Sequence, residues 1–64
     1  MRLDEVKFAV AMVKAEMKMN DLAKASGISR NTLSAAKGGK RIRPETATAI
    51  ANALGVEVTD ILEE

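Results

Sequence analysis

Apolar residues recur along most of this chain at intervals of three and four, which is the spacing of one face of an α-helix. In the first segment they are Leu3, Val6, Val10, Val13 and Met17. This stripe predicts a first helix over about residues 3–16. Strict alternation of apolar and polar residues, the pattern of a half-buried strand, is nearly absent. We therefore expect an all-α protein.

The first helix is apolar on a second face as well. At about 100° per residue, Phe8, Met12 and Ala15 lie away from the stripe. Two interpretations are open: the helix is wedged among neighbours in a small core, or one face is a surface for a partner chain. We favour the wedged helix.

Start and stop signals predict four further helices. They cover about residues 19–25, 29–36, 44–54 and 59–63. Ser29 is a good N-cap and Pro44 suits a first helical position, whereas Gly27 and Gly55 can take the left-handed conformation of a helix stop. Ala47, Ile50, Ala51 and Leu54 form the buried stripe of the fourth helix. The 64 residues therefore predict one domain of five short helices, near the size limit for folding on a hydrophobic core alone.

Composition excludes several kinds of function. The chain has no Cys and no His, which excludes disulfides, thiolate or imidazole metal sites, and Cys- or His-based catalysis. A single aromatic residue, Phe8, excludes an aromatic platform for stacking single-stranded bases. The longest uncharged run, Thr46 to Val56, is too short to span a membrane. We expect a small cytoplasmic binding module without metal, cofactor or enzymatic activity.

Charge is arranged in three blocks behind a net charge of +1. Residues 1–21 are neutral, residues 22–44 carry +6 without any acid, and residues 45–64 carry −5 without any base. A basic middle between a neutral start and an acidic end is typical of a surface that faces a polyanion. The alternative is a solvated run of charges without a partner.

The basic block coincides with a spacing that is typical of a helix-turn-helix over about residues 19–38. Ala23 is a small residue where two helices cross closely, and Gly27 supplies the unusual backbone angles of a tight turn. Ile28 can fill the angle between the helices, and Leu33 can pack back from the second helix of the motif. This geometry projects that second helix for insertion into the DNA major groove.

At these residues the sequence resembles the Cro/CI-type (XRE) helix-turn-helix regulators, the family typified by the phage lambda and 434 repressors. The matching stretches are Leu22-Ala23, Gly27-Ile28-Ser29-Arg30, Leu33, Gly39-Lys40-Arg41, Arg43-Pro44, Ile50-Ala51 and Ala53-Leu54-Gly55-Val56. The resemblance extends from Val6 to Leu62. It implies the five-helix, lambda repressor-like fold, with the third helix as the recognition helix.

The resemblance also implies roles for particular residues. Base readout, or contact with adjacent phosphates, falls to Ser29, Arg30, Asn31, Ser34 and Ala35. Phosphate contacts fall to the amides near Met19 and Asn20 and to the side chains of Lys37, Lys40, Arg41 and Arg43. Contacts between two copies at the C-terminal end fall to Val58, Ile61 and Leu62.

Three departures from the family pattern affect these roles. Met19 stands where many members carry a Gln that contacts phosphate, and Lys18 replaces the usual cap of the second helix, so we expect the helix to start nearer Asn20. Met12 and Lys37 stand where many members bury an Arg–Glu ion pair. Because both charges are replaced together, neither is left buried and unpaired. We expect Met12 to join the core and Lys37 to face DNA.

The functional interpretation is a sequence-specific regulator of transcription, most simply a repressor, that binds an inverted repeat in double-stranded DNA as a homodimer. A prokaryotic or phage origin and a place at the nucleoid go with it. Two alternatives stay open: an antitoxin that regulates its own promoter while binding a toxin, and a protein-interaction module that kept the fold and lost DNA binding. The operator, the genes regulated and the sign of regulation are not encoded in these patterns.

Overall fold

The computed structural model describes residues 1–63 and contains four α-helices in that range. They are α1 (Glu5–Lys14), α2 (Met19–Ser26), α3 (Arg30–Lys37) and α4 (Pro44–Leu54). The all-α prediction is confirmed, but the expected fifth helix is a single 3₁₀ turn, Val58–Asp60. It stops there because Leu62 pairs with Leu3 in an isolated antiparallel bridge, which requires extended backbone.

The core is built from one large side chain of each element. Phe8 of α1, Leu22 of α2, Leu33 of α3, Ile50 of α4 and Ile61 after the 3₁₀ turn are each no more than 1% exposed. α2 packs against both α3 and α4, and the 3₁₀ turn packs against α1 and α4. The helix-turn-helix is therefore supported from behind by α4, and α1 lies beside the C-terminal end.

The apolar stripe predicted for the first helix is not its buried side. Phe8 and Ala11 are buried, whereas Val6, Val10 and Val13 are 71%, 46% and 76% exposed. We call these three valines the valine face. The interpretation of α1 as a helix wedged in the core on both sides is therefore wrong for this face.

The residues of the predicted stripe have different environments because α1 is shorter than the stripe. The helix begins after Leu3 and ends before Met17. Asp4 caps the helix: its carboxylate accepts a hydrogen bond from the Lys7 backbone N–H at 2.9 Å. Leu3 therefore lies in the extended segment before the helix, where it is buried against Leu62 rather than in line with the valines. At the other end Glu16 has a left-handed φ of 55° and stops the helix before Met17.

Both ends of the described chain are joined by backbone hydrogen bonds. The Asp4 N–H donates to the Ile61 carbonyl oxygen at 2.9 Å, and the Glu63 N–H donates to that of Arg2 at 3.0 Å. The Ile42 N–H, from the loop between α3 and α4, donates to the Met1 carbonyl oxygen at 2.6 Å. We call this loop, residues 38–43, the basic loop. Residues 1–3 thus run between the C-terminal segment and the basic loop.

Candidate nucleic-acid interface

The turn between α2 and α3 is held by one serine and one glycine. The Ser26 hydroxyl donates to the Leu22 carbonyl oxygen at 2.7 Å and accepts from the Ile28 N–H at 3.2 Å. Gly27 has a φ of 73°, and its N–H closes α2 on the Ala23 carbonyl oxygen at 3.0 Å. Nothing lies within 4 Å of a Cβ added there, so the requirement for glycine is its backbone conformation and not space.

Ser29 begins α3 as its N-cap, as the sequence predicted. Its hydroxyl oxygen accepts from the Thr32 N–H at 3.2 Å and its O–H donates to the Thr32 hydroxyl at 2.9 Å. Both side chains are exposed. A serine hydroxyl has two acceptor lone pairs and the cap uses one of them, so the exposed Ser29 keeps some hydrogen-bonding capacity for a ligand.

The predicted recognition helix, α3, has one buried and one outward side. Leu33 and Ala36 are fully buried in the hydrophobic core. The outward side consists of Arg30, Asn31 and Ser34, which are exposed, and of Ala35, which is half-buried. The structure therefore brings all five predicted base-reading residues to the first turn and outer side of one helix.

The N-terminus of α2 leaves backbone amides open. α2 begins at Met19, as the predicted helix over residues 19–25 requires, and not later at Asn20 as the replaced cap suggested. No side chain caps the first turn: lysine has no acceptor atom, and the only local bond runs from the Lys18 N–H to the Asp21 carboxylate at 2.9 Å. The Met19 side chain packs against the core, so only its amide can meet a phosphate. The Asp21 carboxylate in this turn weakens that attraction.

The four side chains predicted to contact phosphate lie at the end of α3 and in the basic loop. Lys37, Lys40, Arg41 and Arg43 are all exposed. Lys40 is positioned by its N–H, which donates to the Ala35 carbonyl oxygen at 3.1 Å. Met12 packs half-buried against the core, as the paired departure from the family pattern predicted.

Ile42 anchors the basic loop, a role that no local spacing in the sequence indicates. Its side chain is half-buried against the core and its N–H is bound to Met1, so Arg41 and Arg43 on either side are held at the surface. Arg2 also comes to this place: with Met1, Arg41 and Glu63 it lines a shallow depression. Residue 2 lies near residue 41 because the Ile42 N–H is bound to the Met1 carbonyl oxygen.

The predicted contacts between copies need one correction. Ile61 is fully buried in its own domain and is not available to a second copy. Val58 and Leu62 are half-buried, and both pack against the core.

Neither a metal site nor a membrane span is found in the described part of the chain. Residues 1–63 contain no group of three or more carboxylate, thiol or imidazole side chains placed to hold a metal ion. Within the same range, no helix is both long and apolar enough to cross a membrane.

Comparison with known proteins gives a family match. The family model described as the Cro/C1-type HTH DNA-binding domain matches residues 7–63, which is most of the chain. No curated protein and no solved structure matches the chain. The matched range includes α2, α3 and the basic loop.

Proposed function

The chain belongs to the Cro/C1-type helix-turn-helix DNA-binding domains, and from that premise we propose that it is a transcription repressor that binds an inverted-repeat operator as a homodimer. DNA binding follows from the family. Repression, the dimer and the inverted repeat are the proposal.

The observation that carries the proposal is the outward side of α3. Arg30, Asn31 and Ser34 are exposed on a helix that Leu33 and Ala36 fix to the domain from the opposite side. A rigid helix with an exposed polar side is what entry into a major groove requires.

Two side chains of α3 have the chemistry for direct base readout. The Arg30 guanidinium can donate two hydrogen bonds to O6 and N7 of guanine, and the Asn31 amide can bond N6 and N7 of adenine. The Ala35 methyl group can contact the methyl group of thymine. Ser29 and Ser34 lie where they can reach a base edge or an adjacent phosphate.

The cations around α3 contribute affinity without sequence information. Lys37, Lys40, Arg41 and Arg43 meet the DNA backbone on one side of the recognition helix, and the amides of Met19 and Asn20 meet it on the other. The chain has no acid between residues 22 and 44, so no carboxylate of this segment opposes the phosphates.

A homodimer follows from the size of the module. The domain measures 24 × 21 × 18 Å between its Cα atoms, and one recognition helix reads few base pairs. Two copies related by a two-fold axis read half-sites about 34 Å apart, which is one turn of DNA.

Selection from a randomised duplex library, at low and at near-physiological salt, tests the proposal. An enriched inverted repeat that persists at the higher salt supports a dimeric, sequence-specific regulator. With four basic side chains on each of two copies, the logarithm of affinity is expected to fall against the logarithm of salt with a slope near −7.

The variant Arg30→Ala/Asn31→Ala is the matched control, because it removes base readout and leaves the four cations that follow in place. It should bind DNA without enriching a sequence. Binding by the unaltered chain that enriches nothing and disappears with salt would contradict the proposal.

A further inference from the structure

Arg2 is an exposed cation that lies outside the basic block of the sequence. It belongs to the neutral residues 1–21, and no spacing connects it with the basic loop. In the structure, Arg2 and Arg41 line the same shallow depression although they are far apart in sequence, and Met1 and Glu63 complete its lining. The fold therefore places one more guanidinium beside the cations of the basic loop.

The backbone around Arg2 is anchored on both sides. The Met1 carbonyl oxygen accepts from the Ile42 N–H at 2.6 Å, and the carbonyl oxygen of Arg2 itself accepts from the Glu63 N–H at 3.0 Å. Leu3 is 3% exposed, and successive side chains of an extended segment point to opposite faces. Because the Leu3 side chain is buried in the core, that of Arg2 is directed outward.

Arg41 is held next to Arg2 by the same hydrogen bond. Its neighbour Ile42 packs half-buried against the core, and the Ile42 N–H is the donor to Met1. One bond thus joins the residue that follows Arg41 to the residue that precedes Arg2. Both arginine side chains are exposed, so two anchored guanidiniums face solvent side by side.

The ligand that fits two neighbouring guanidiniums is a row of phosphate groups. A guanidinium can donate two parallel hydrogen bonds to phosphate oxygens, and it stays charged at physiological pH. In the part of the chain that the structure describes, no ion pair joins Glu63 to Arg2 or Arg41. An exposed ion pair with Glu63 would be weak, so it would not prevent a contact with a polyanion.

We propose that Arg2 contacts the DNA backbone, at a phosphate beside the one that Arg41 contacts. This step rests on the proposed function, in which the basic loop lies against the backbone. Lys40 is bound to Ala35 at the α3 end of that loop, whereas Arg2 lies at its Met1 end. Arg2 therefore extends the row of phosphate contacts away from the recognition helix and adds affinity without sequence information.

Glu63 should act in the opposite direction. Its carboxylate lies in the same depression and repels phosphate, so it reduces the attraction that Arg2 and Arg41 provide. Neutralising Arg2 should weaken DNA binding, and neutralising Glu63 should strengthen it. Damage to the fold would weaken binding in both variants, so the opposite signs distinguish a charge effect from a structural one.

Salt titrations of affinity, on a selected operator and on an unrelated duplex, test the inference. The variants are Arg2→Gln, Arg2→Lys and Glu63→Gln, and the matched control is Lys14→Gln. Lys14 is an exposed cation too, but it lines a groove on α1 with Val56 and Asp60 and is not among the residues proposed to contact DNA. Circular dichroism checks that each variant is folded.

Arg2→Gln should reduce the salt slope by about 0.9 for each copy bound, on both duplexes alike. The affinity that it loses should therefore shrink about 3.5-fold for each copy bound as the salt rises from about 50 to about 200 mM. Arg2→Lys and Lys14→Gln should keep the slope, and Glu63→Gln should bind more tightly than the unaltered chain at low salt. Counting Arg2, the slope expected for the dimer changes from about −7 to about −9.

Equal slopes for Arg2→Gln and Lys14→Gln would overturn the inference, and so would a loss of affinity confined to the selected operator. A slope reduced as much in Arg2→Lys as in Arg2→Gln would assign Arg2 a structural role instead. If the library yields an inverted repeat and Arg2 has no effect, the proposed function stands and only this contact is removed. A chain that binds neither duplex would contradict the proposed function and this inference together.

Discussion

α1 and α3 are built alike on their inner sides and differently on their outer sides. Each buries two side chains, Phe8 and Ala11 in α1 and Leu33 and Ala36 in α3. The outer side of α3 is polar and suits a DNA groove, whereas the outer side of α1 carries the valine face. Apolar periodicity predicts which residues share one face of a helix, but it does not show whether that face is buried in the domain or exposed at its surface.

The two parts of the chain also differ in how their helices end. In the helix-turn-helix, α2 ends at Gly27, a residue that takes a left-handed φ without strain. α1 ends at Lys14, and two residues later Glu16 is the one non-glycine residue among residues 1–63 with a positive φ. The helix-turn-helix thus follows the local rules of sequence, and α1 departs from them in its exposed valines and in its stop.

Substitutions on opposite sides of α1 should differ most in stability. Phe8→Ala removes a side chain that is 1% exposed and should cost about 3–5 kcal/mol, which approaches the whole stability of a domain this small. Val13→Ala should change the free energy of unfolding by less than about 0.5 kcal/mol, because Val13 is largely exposed. Urea denaturation measures both. A comparable loss in Val13→Ala would show that the valine face is part of the core.

Substitutions on the outer side of α3 should affect DNA binding and not the stability of the fold. Arg30→Ala should weaken binding to one selected half-site by about 1–3 kcal/mol, since a bidentate contact to guanine is lost. Val13→Ala should bind the same half-site duplex unchanged, because Val13 is exposed on α1, away from the residues proposed to contact DNA. Fluorescence anisotropy on half-site duplexes gives both affinities. Equal effects of the two substitutions would remove the distinction between the faces.

The basic loop should contribute equally to the affinity for all DNA sequences. Arg41→Ala removes one phosphate contact and should reduce the salt slope by about 0.9 for each copy bound. The affinity should fall by a similar factor for selected and for unrelated duplexes, in contrast to Arg30→Ala. The measurement is a salt titration on both duplexes, and a loss confined to the selected duplex would place Arg41 among the base-reading residues instead.

The smallest effect is expected at the ends of the helices. Glu16→Gly relieves a left-handed backbone and should stabilise the domain by about 0.5–1 kcal/mol. Gly27→Ala imposes the same strain at the end of α2 and should destabilise it by a similar amount. Thermal unfolding of the pair provides the check: a destabilised Glu16→Gly would mean that the Glu16 side chain contributes more than its backbone conformation costs.

The helix-turn-helix could be predicted closely because its signals are local. Gly27 and Ser29 fix a turn and a cap within a few residues of themselves, and the turn brings α3 against α2 with Leu33 facing the core. The exposure of Arg30 and Asn31 follows from the same register. Local spacing alone is therefore enough to assign these residues to one surface.

The remaining features depend on contacts distant in sequence. Which side of α1 is buried is decided by Ile61 and the C-terminal segment, which lie some fifty residues away. The 3₁₀ turn at Val58–Asp60 replaces an expected helix for the same reason, because Leu62 is held extended by Leu3. The anchoring of Ile42 by Met1 has no local signal at all.

The hydrogen bond between Ile42 and Met1 has a consequence for the order of folding. The contacts between α2 and α3 join near neighbours in sequence, whereas pairing of residues 1–4 with residues 61–63 closes nearly the entire chain and is entropically costly. The loop that carries Arg41 and Arg43 reaches its final position only when Met1 is in place. The amides of Asp4, Ile42 and Glu63 should therefore exchange with solvent together and sooner than those within α2 and α3. The basic loop, which we propose contacts phosphates, should then be the last part of the proposed DNA surface to form and the first to open.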